Sequence, residues 1–128
     1  MALEVVSISD GVVVLRAPLA PNTNHSETVF GGSACALAIL AAWSLVHVRL
    51  QAAGMAGRLV IQRNTMEYLR PIAGEFTARA ALEEAGQWAR FSATLARRRR
   101  ARITVPALLE HCGQVVGSFS GDFVALAD

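Results

Sequence analysis

The stretch NHSETVFGGS, residues 24–33, places polar side chains directly before two glycines and a long apolar run. If that run is a helix, Gly31 and Gly32 lie at its N-terminus, where backbone NH groups and the positive end of the helix dipole gather. Such a terminus can bind an oxyanion, and glycines let a ligand approach the backbone closely. The stretch therefore has the parts of a site that stabilises negative charge on an oxygen. Two glycines can also serve only to let a helix begin close to a strand.

Four side chains near this terminus could assist the backbone. The amide of Asn24 can hold a water or a carbonyl by hydrogen bonding without titrating. His25 carries the nearby group that ordinarily exchanges a proton at neutral pH, although a histidine in a loop can simply bond the backbone of a turn. Ser33 could be a nucleophile, but GGSAC is not a GxSxG elbow, so capping or packing is its alternative. The carboxylate of Glu27 could point into the site or to solvent.

Length and composition predict one domain spanning residues 1–128. The chain has 128 residues, with no repeat, linker or low-complexity block that would divide it. Hydrophobic residues make up 53% and charged residues 17%, which excludes disorder and indicates that a second copy covers some apolar surface. The net charge of +2 is too small to indicate nucleic acid binding.

The order of predicted elements indicates strands, one long helix and then more strands. Asp10-Gly11 is typical of a hairpin turn between two short strands. Residues 31 to about 53 predict a helix that is apolar nearly all round and therefore buried on most faces. Its uncharged part is shorter than the ~20 residues of a membrane span, so a core helix is favoured.

After the helix, residues 58–70 alternate as a long strand, with Leu59, Ile61, Arg63 and Thr65 on one face. Residues 74–84 alternate again and are predicted to form a second strand, antiparallel to the first. Residues 88–100 suit a short amphipathic helix or a strand, and we favour the helix. Two more strands follow around a turn at residues 111–113. The whole predicts an α+β fold in which an antiparallel sheet wraps around one long central helix.

Three stretches resemble a known family. APNTNHSETVFGGSACALAILAAW, NTMEYLRPIAGEFTARA and GQVVGSFSGDFVALA are similar to the hotdog-fold thioesterases, most closely to the putative thioesterase domain found alone or fused to an acetyltransferase domain. The resemblance spans nearly the whole chain. It implies hydrolysis of acyl-CoA or acyl carrier protein thioesters, with no cofactor beyond the coenzyme A of the substrate. It also implies a homodimer, which could stack into a tetramer, with active sites at the subunit interface.

The resemblance assigns roles to particular residues. Asn24 and the backbone of Gly32 would hold the attacking water or the thioester. The strand at residues 58–70 would pair with its counterpart, so that Asn64 and Tyr68 face the helix start of the other subunit, although both could be only a polar edge that the partner covers. The predicted catalytic residues are Asn24, His25 and Gly32, and the predicted substrate-binding residues are Glu27, Phe30, Gly31, Ser33, Asn64 and Tyr68.

The chain departs from many related enzymes at two positions. Those enzymes carry a histidine just before the two glycines and an acid about two and a half turns into the helix, where this chain has Phe30 and Ile39. The departure removes the usual general base. It leaves open a different class of protein, a non-catalytic module that binds acyl-CoA or acyl carriers. A hydratase is less favoured, because no Asp and His pair has suitable spacing.

Two further features bear on partners and location. The run Arg97 to Arg100, with Arg102, is either a solvated turn or a docking site for coenzyme A phosphates, and nucleic acid ranks third because no aromatic stacking pattern accompanies it. Cys35 and Cys112 lie far apart without metal-ligand spacing, and the N-terminus does not resemble a secretory signal. We therefore expect a cytoplasmic protein with no metal site and no membrane partner.

Overall fold

The structure is a computed structural model that describes residues 2–9, 11–19 and 31–128. The order of its elements agrees with the predicted order, and residues 87–98 adopt the helix that the sequence favoured. Of the predicted Asp10-Gly11 turn, Asp10 lies outside the described residues. The elements are β1 (Glu4–Ile8), β2 (Val12–Ala17), α1 (Gly31–Ala52), β3 (Gly57–Tyr68), β4 (Phe76–Ala81), α2 (Gln87–Arg98), β5 (Arg100–His111) and β6 (Gln114–Ala127).

The strands form one six-stranded sheet in the order β1-β2-β4-β5-β6-β3, in which all neighbours are antiparallel. Helix α1 lies against one face of this sheet and contacts β2, β3, β4, β5 and β6. The predicted α+β architecture, an antiparallel sheet around one long helix, is confirmed. The edge strands are β1 and β3, and β3 is the longer, with 12 residues.

The predicted antiparallel direction of residues 74–84 relative to residues 58–70 is confirmed, but the two strands are not neighbours. β4 pairs with β2 and β5, while β3 pairs with β6 at an edge of the sheet. The physical reason is ladder length. The 14-residue β6 supplies partners along the whole of β3, whereas the six residues of β4 match the six of β2 one for one. Alternation in a sequence shows the two faces of a strand but does not identify its neighbour.

Helix α1 is the centre of the core. Eight of its residues are buried: Ala34, Leu37, Ala38, Ala41, Ala42, Leu45, Val46 and Leu50. They meet alternate side chains of the sheet, among which Phe76, Phe119 and Phe123 are the largest. By length and composition alone α1 could cross a bilayer. Its packing against the sheet instead accounts for its apolar sequence, since each large buried side chain stabilises the fold by roughly 1.5–3 kcal/mol.

A β-bulge at Gln62 changes which residues of β3 face the helix. Ile61 pairs with Phe123 and Arg63 with the adjacent Asp122, so Gln62 is the extra residue. Leu59 and Ile61 pack against the core before the bulge, and Met66 does so after it. The regular alternation predicted for this strand therefore fails beyond Ile61, because an inserted residue exchanges the two faces. Asn64 and Tyr68 come to lie on the helix side.

Helix α2 occupies an edge that the sheet leaves uncovered. The pairing of β4 with β5 begins only at Ala107, so the first half of β5 has no strand on that side. Gln87 of α2 donates from Nε2 to the carbonyl of Thr104 at 2.8 Å, which satisfies one group of this edge. Phe91 and Leu95 are the buried residues of α2. Arg49 of α1 lies over the ring of Trp88 of α2, 4.8 Å from the ring centroid. The sequence periodicity allowed a helix or a strand here, and the packing of the apolar face explains why the segment is a helix.

Candidate active site

The N-terminal end of α1 is joined to the end of β3 by a hydrogen bond. The hydroxyl of Tyr68 donates to the carbonyl oxygen of Gly31 at 2.7 Å. The Tyr68 ring lies so close that a Cβ at Gly31 would be 3.4 Å from its Cζ, at the limit of ordinary van der Waals contact. The absence of a side chain at Gly31 leaves the ring room to cover the first turn of the helix.

A second contact ties β3 to α1 one turn further along. The thiol of Cys35 donates to the Oδ1 atom of Asn64, with Sγ 3.5 Å from the oxygen. Partial burial raises the pKa of the Cys35 thiol above its ordinary value. Burial, and then the charge of Cys35, raise the pKa of the Tyr68 phenol as well. Both groups are therefore protonated at neutral pH and serve as hydrogen-bond donors.

An open depression of about 400 Å³ lies beside this end of the helix. Its volume falls within the range of small-molecule sites. The described residues that line it are mostly apolar, and none is an acid or a histidine. They are Gly31, Ala34, Tyr68, Leu69, Arg70, Pro71 and Ile72.

The structure brings together only some of the predicted site residues. Gly31, Gly32 and Ser33 form the first turn of α1, with Gly32 exposed and the other two half-buried. Asn64 and Tyr68 lie beside that turn through the contacts given above. The predictions for Asn24, His25, Glu27 and Phe30 lie outside the described residues, so the roles proposed for them stay predictions.

Asn64 and Tyr68 contact the start of α1 in their own chain, since Tyr68 bonds to Gly31 and Asn64 to Cys35. The bulge at Gln62 is the cause of these contacts, because it turns both side chains towards their own helix. That the two residues also face the helix start of another subunit, as the resemblance implied, stays a prediction.

The position that holds an acid in many related enzymes is part of the core here. Ile39 is half-buried and packs against the buried cluster of the sheet and helix. In the part of the chain that the structure describes, no three His, Cys, Asp or Glu side chains are grouped in a way that could hold a metal ion. The groups that the described residues offer at this site include backbone NH groups, the Tyr68 phenol, the Cys35 thiol, the Ser33 hydroxyl and the Arg70 guanidinium, all of which can donate hydrogen bonds.

Sequence reasoning missed Cys35 as a contact of the site. The signal that could have found it is its spacing, because residues four apart lie on the same helix face and Cys35 is four residues after Gly31. The segment at residues 69–72 was also missed. This segment follows β3 as the chain turns towards β4. It lines the depression only because β3 ends beside the start of α1, and the sequence does not show where β3 ends.

A larger cavity, of about 610 Å³, lies at the opposite end of α1. Trp43 and His47 stack there with ring centroids 4.6 Å apart, and Trp43 donates from Nε1 to the carbonyl of Leu59 at 2.9 Å. Leu50, Met55 and Leu126 add apolar surface, and Arg58 and Asp128 add charge. In a single chain this cavity is separated from Gly31 by most of the length of the helix, so the two cannot hold one small acyl group.

The architecture is shared with solved proteins that cover nearly the whole chain. A protein from Chlorobaculum tepidum TLS is 28% identical over 100% of this chain and 84% of its own, with a TM-score of 0.93. A protein from Shewanella oneidensis, described as a putative thioesterase, is 26% identical over 98% of this chain and 85% of its own, with a TM-score of 0.87. A Pseudomonas aeruginosa protein, 23% identical over 98% of this chain and 83% of its own, has a TM-score of 0.85 and supports the fold alone.

These neighbours define the class of protein as the hotdog fold, in which an antiparallel sheet packs on one long helix. The chain belongs to the family described as "Putative thioesterase (yiiD_Cterm)", which matches residues 1–127. The resemblance drawn from the sequence is thus confirmed, and the family supports a thioester hydrolase type of function on an acyl thioester. No curated protein matches the chain.

Proposed function

We propose that this protein hydrolyses acyl thioesters of coenzyme A or acyl carrier protein, with the reacting carbonyl held at residues 31–33. Attack on a thioester develops negative charge on the carbonyl oxygen, and backbone NH groups at a helix N-terminus stabilise such charge. The observation that carries the proposal is the hydrogen bond from Tyr68 to Gly31, which holds this terminus beside an open depression.

The hydrolytic step needs a water that is oriented and deprotonated. In our proposal Asn24 holds the water, and His25 accepts its proton as the water oxygen attacks the carbonyl carbon. The C–S bond then breaks, and the departing thiolate takes the proton from His25. Gly32 donates its backbone NH to the carbonyl oxygen, while Glu27, Phe30 and Ser33 contact the substrate. Cys35 and Tyr68, which stay protonated, orient groups rather than act as bases.

We further propose that the active unit is a homodimer formed through β3. This strand is at the edge of the sheet, and its outer edge has no strand partner among the described residues. A long unpaired edge can pair with another copy of itself. Antiparallel pairing would exchange the ends of β3 and bring the cavity beside Trp43 of one subunit towards Gly31 of the other. The acyl group would then lie in the apolar cavity of one subunit while its carbonyl is held at Gly31 of the other.

The site requires no cofactor in this proposal, since coenzyme A enters only as part of the substrate. We propose a cytoplasmic location, which the two free cysteines, Cys35 and Cys112, support.

A second candidate function is a binding module that holds acyl carriers without hydrolysing them. It is favoured by the described lining of the depression, which has no acid or histidine, and by Ile39 at the usual acid position. The two functions share the pocket and differ only in whether water is activated.

The test is a panel of acyl-CoA substrates from acetyl through long-chain and aryl, followed by loss of the thioester absorbance or by chromatography. Thiol reagents are avoided because Cys35 and Cys112 would react. Asn24→Ala is compared with Asn22→Ala, a matched change two residues earlier in the chain. We expect turnover that collapses only in the first variant. Saturable binding without turnover in the unmodified protein would establish the binding module instead.

A further inference from the structure

The arginine run between α2 and β5 is held in one conformation. Arg97 and Arg98 lie in the last turn of α2, and Arg99 ends the helix with a left-handed φ of 64°. Its NH donates to the carbonyl of Leu95 at 2.8 Å, and its carbonyl accepts from the NH of Ala127 at 2.9 Å. Glycine adopts this conformation without strain, whereas an arginine there is strained. Arg99 does not itself line the depression described next, and its left-handed backbone joins Arg98 to Arg100.

This rigid link brings three guanidinium groups to one surface. Arg100 and Arg102 are exposed and alternate along β5 with buried residues, and Arg98 approaches them from the end of α2. The three line a depression of about 510 Å³. Gln62, which the bulge of β3 adds to this surface, and Thr94 contribute an amide and a hydroxyl. We call this depression, defined by Arg98, Arg100, Arg102, Gln62 and Thr94, the arginine pocket.

The positive charge of the arginine pocket is only partly offset by a nearby acid, since Arg102 acts on Asp122 through space. Across residues 2–9, 11–19 and 31–128, none of its three arginines forms an ion pair, whereas Arg16 and Arg90 do. Asp122 lies on the same face of the sheet, but its carboxylate accepts from Thr104 at 2.6 Å and pairs with Arg63 at 3.4 Å. Three like charges at one depression repel one another, and a bound polyanion would relieve that repulsion.

We propose that the arginine pocket binds the phosphate groups of coenzyme A, an inference that rests on the proposed thioesterase function. Guanidinium groups present planar pairs of donors that match phosphate oxygens, and the diphosphate and the ribose 3′-phosphate of coenzyme A offer several of these close together. Gln62 and Thr94 can bond the remaining oxygens. Nucleic acid fits less well, since the lining of the pocket contains no aromatic side chain for base stacking.

The location of the pocket suits a substrate with a long arm. Arg102 and Val60 both pair with Val124, so Arg102 lies level with Val60, eight residues before Tyr68 on β3. At ~3.3 Å per residue it is offset along the strand direction by roughly 26 Å from the level of Tyr68, which contacts the N-terminal end of its own α1. The proposed antiparallel dimer would exchange the ends of β3 and bring the pocket level with the N-terminal end of the other subunit's helix, on the opposite face of the sheet. The pantetheine arm would span the remaining distance between phosphates and thioester.

The first experiment measures binding without any reaction. Isothermal titration calorimetry with adenosine 3′,5′-bisphosphate compares the unmodified protein with the double variant Arg98→Gln, Arg100→Gln. The matched control, Arg79→Gln with Arg97→Gln, removes the same charge from exposed arginines that do not line the pocket. We expect binding weakened at least about tenfold in the first variant and within about twofold in the control, because charge-assisted hydrogen bonds to phosphate are lost. No binding by the unmodified protein, or equal losses in both variants, would overturn the proposal.

The second experiment separates the pocket from the chemistry. Hydrolysis of an acyl-CoA is compared with that of the same acyl group on pantetheine, which lacks the diphosphate and the nucleotide. We expect the pocket variant to raise KM for acyl-CoA about tenfold and to leave acyl-pantetheine hydrolysis unchanged. Bisphosphate binding without hydrolysis of either substrate would reject the thioesterase function and support the pocket. A pocket variant whose KM for acyl-CoA is unchanged would overturn the coenzyme A assignment.

Discussion

The hydroxyl of Tyr68 donates a 2.7 Å hydrogen bond to the carbonyl of Gly31, 37 residues earlier in the chain. This bond fixes the end of an edge strand against the first residue of the central helix. The contact between Cys35 and Asn64 fixes the next turn to the same strand. The start of α1 is therefore positioned by β3, and a change on this edge strand should affect the proposed carbonyl site.

Tyr68→Phe tests this coupling, because it removes the hydroxyl and keeps the ring. We expect the free energy of unfolding to fall by about 1 kcal/mol, the usual net contribution of one hydrogen bond. We also expect kcat/KM for acyl-CoA to fall, since the Gly31 carbonyl loses its donor. Urea unfolding and steady-state kinetics measure the two effects. Equal stability of the two proteins would mean that water replaces the phenol.

Gly31→Ala tests whether the glycine serves the ligand or only the fold. An added Cβ would lie 3.4 Å from the Tyr68 ring, which the structure tolerates, and alanine favours a helix by up to about 1 kcal/mol. We expect unchanged or slightly higher thermal stability together with slower hydrolysis. Gly11→Ala is the control, since nothing lies within 4 Å of its added Cβ. Full activity of the Gly31 variant would assign this glycine to helix placement alone.

Asp122→Asn should reveal a pH-dependent contribution to stability. The hydrogen bond from Thr104, together with Arg63 and Arg102, holds the pKa of Asp122 below its ordinary value of 3.8. A carboxyl whose pKa is lowered on folding stabilises the fold above its unfolded pKa and loses that contribution as the pH falls through the folded one. We expect the free energy of unfolding of the variant at pH 7 to be lower than that of the unmodified protein by at most about 1 kcal/mol.

Urea unfolding at pH 7 and at a pH below the carboxyl range measures this difference. It should shrink as the solution is acidified, because Asp122 becomes neutral in both states. A gap between the two proteins that stays constant across the series would contradict the assignment.

The two thiols should react at different rates with a disulfide reagent. Cys112 is exposed, whereas Cys35 is half-buried and burial raises its pKa. Because the thiolate is the reactive form, Cys35 should react slowly at neutral pH and continue to accelerate above the ordinary thiol range. Stopped-flow labelling should show a fast phase that Cys112→Ser removes and a slow phase that Cys35→Ser removes. A fast phase that survived Cys112→Ser would show that Cys35 is accessible.

Much of the fold could be predicted from local pattern. Apolar periodicity placed α1 within a residue of its observed end, alternation located β3 and β4, and two strands were predicted around the turn that joins β5 to β6. These features depend on neighbours within a few residues, so a sequence reports them directly. Gly31, Gly32 and Ser33 were likewise placed at the helix start because glycines and an apolar run adjoin there. The partner of β4 could not be obtained in this way, since pairing depends on strands that are distant in the chain.

The site divides along the same line. The sequence by itself determined which functional groups are available. They are the backbone NH groups at a helix start, the candidate polar residues before it, and a cluster of arginines. Only the tertiary structure decided which groups meet. The bulge at Gln62 turned Asn64 and Tyr68 towards their own helix, and the left-handed Arg99 set Arg98 beside Arg100. A bulge is one extra residue in one strand of a pair, so it depends on the partner strand. The left-handed end of α2 depends on where the packing of the helix stops. Both therefore result from long-range contacts, which a local sequence pattern does not contain.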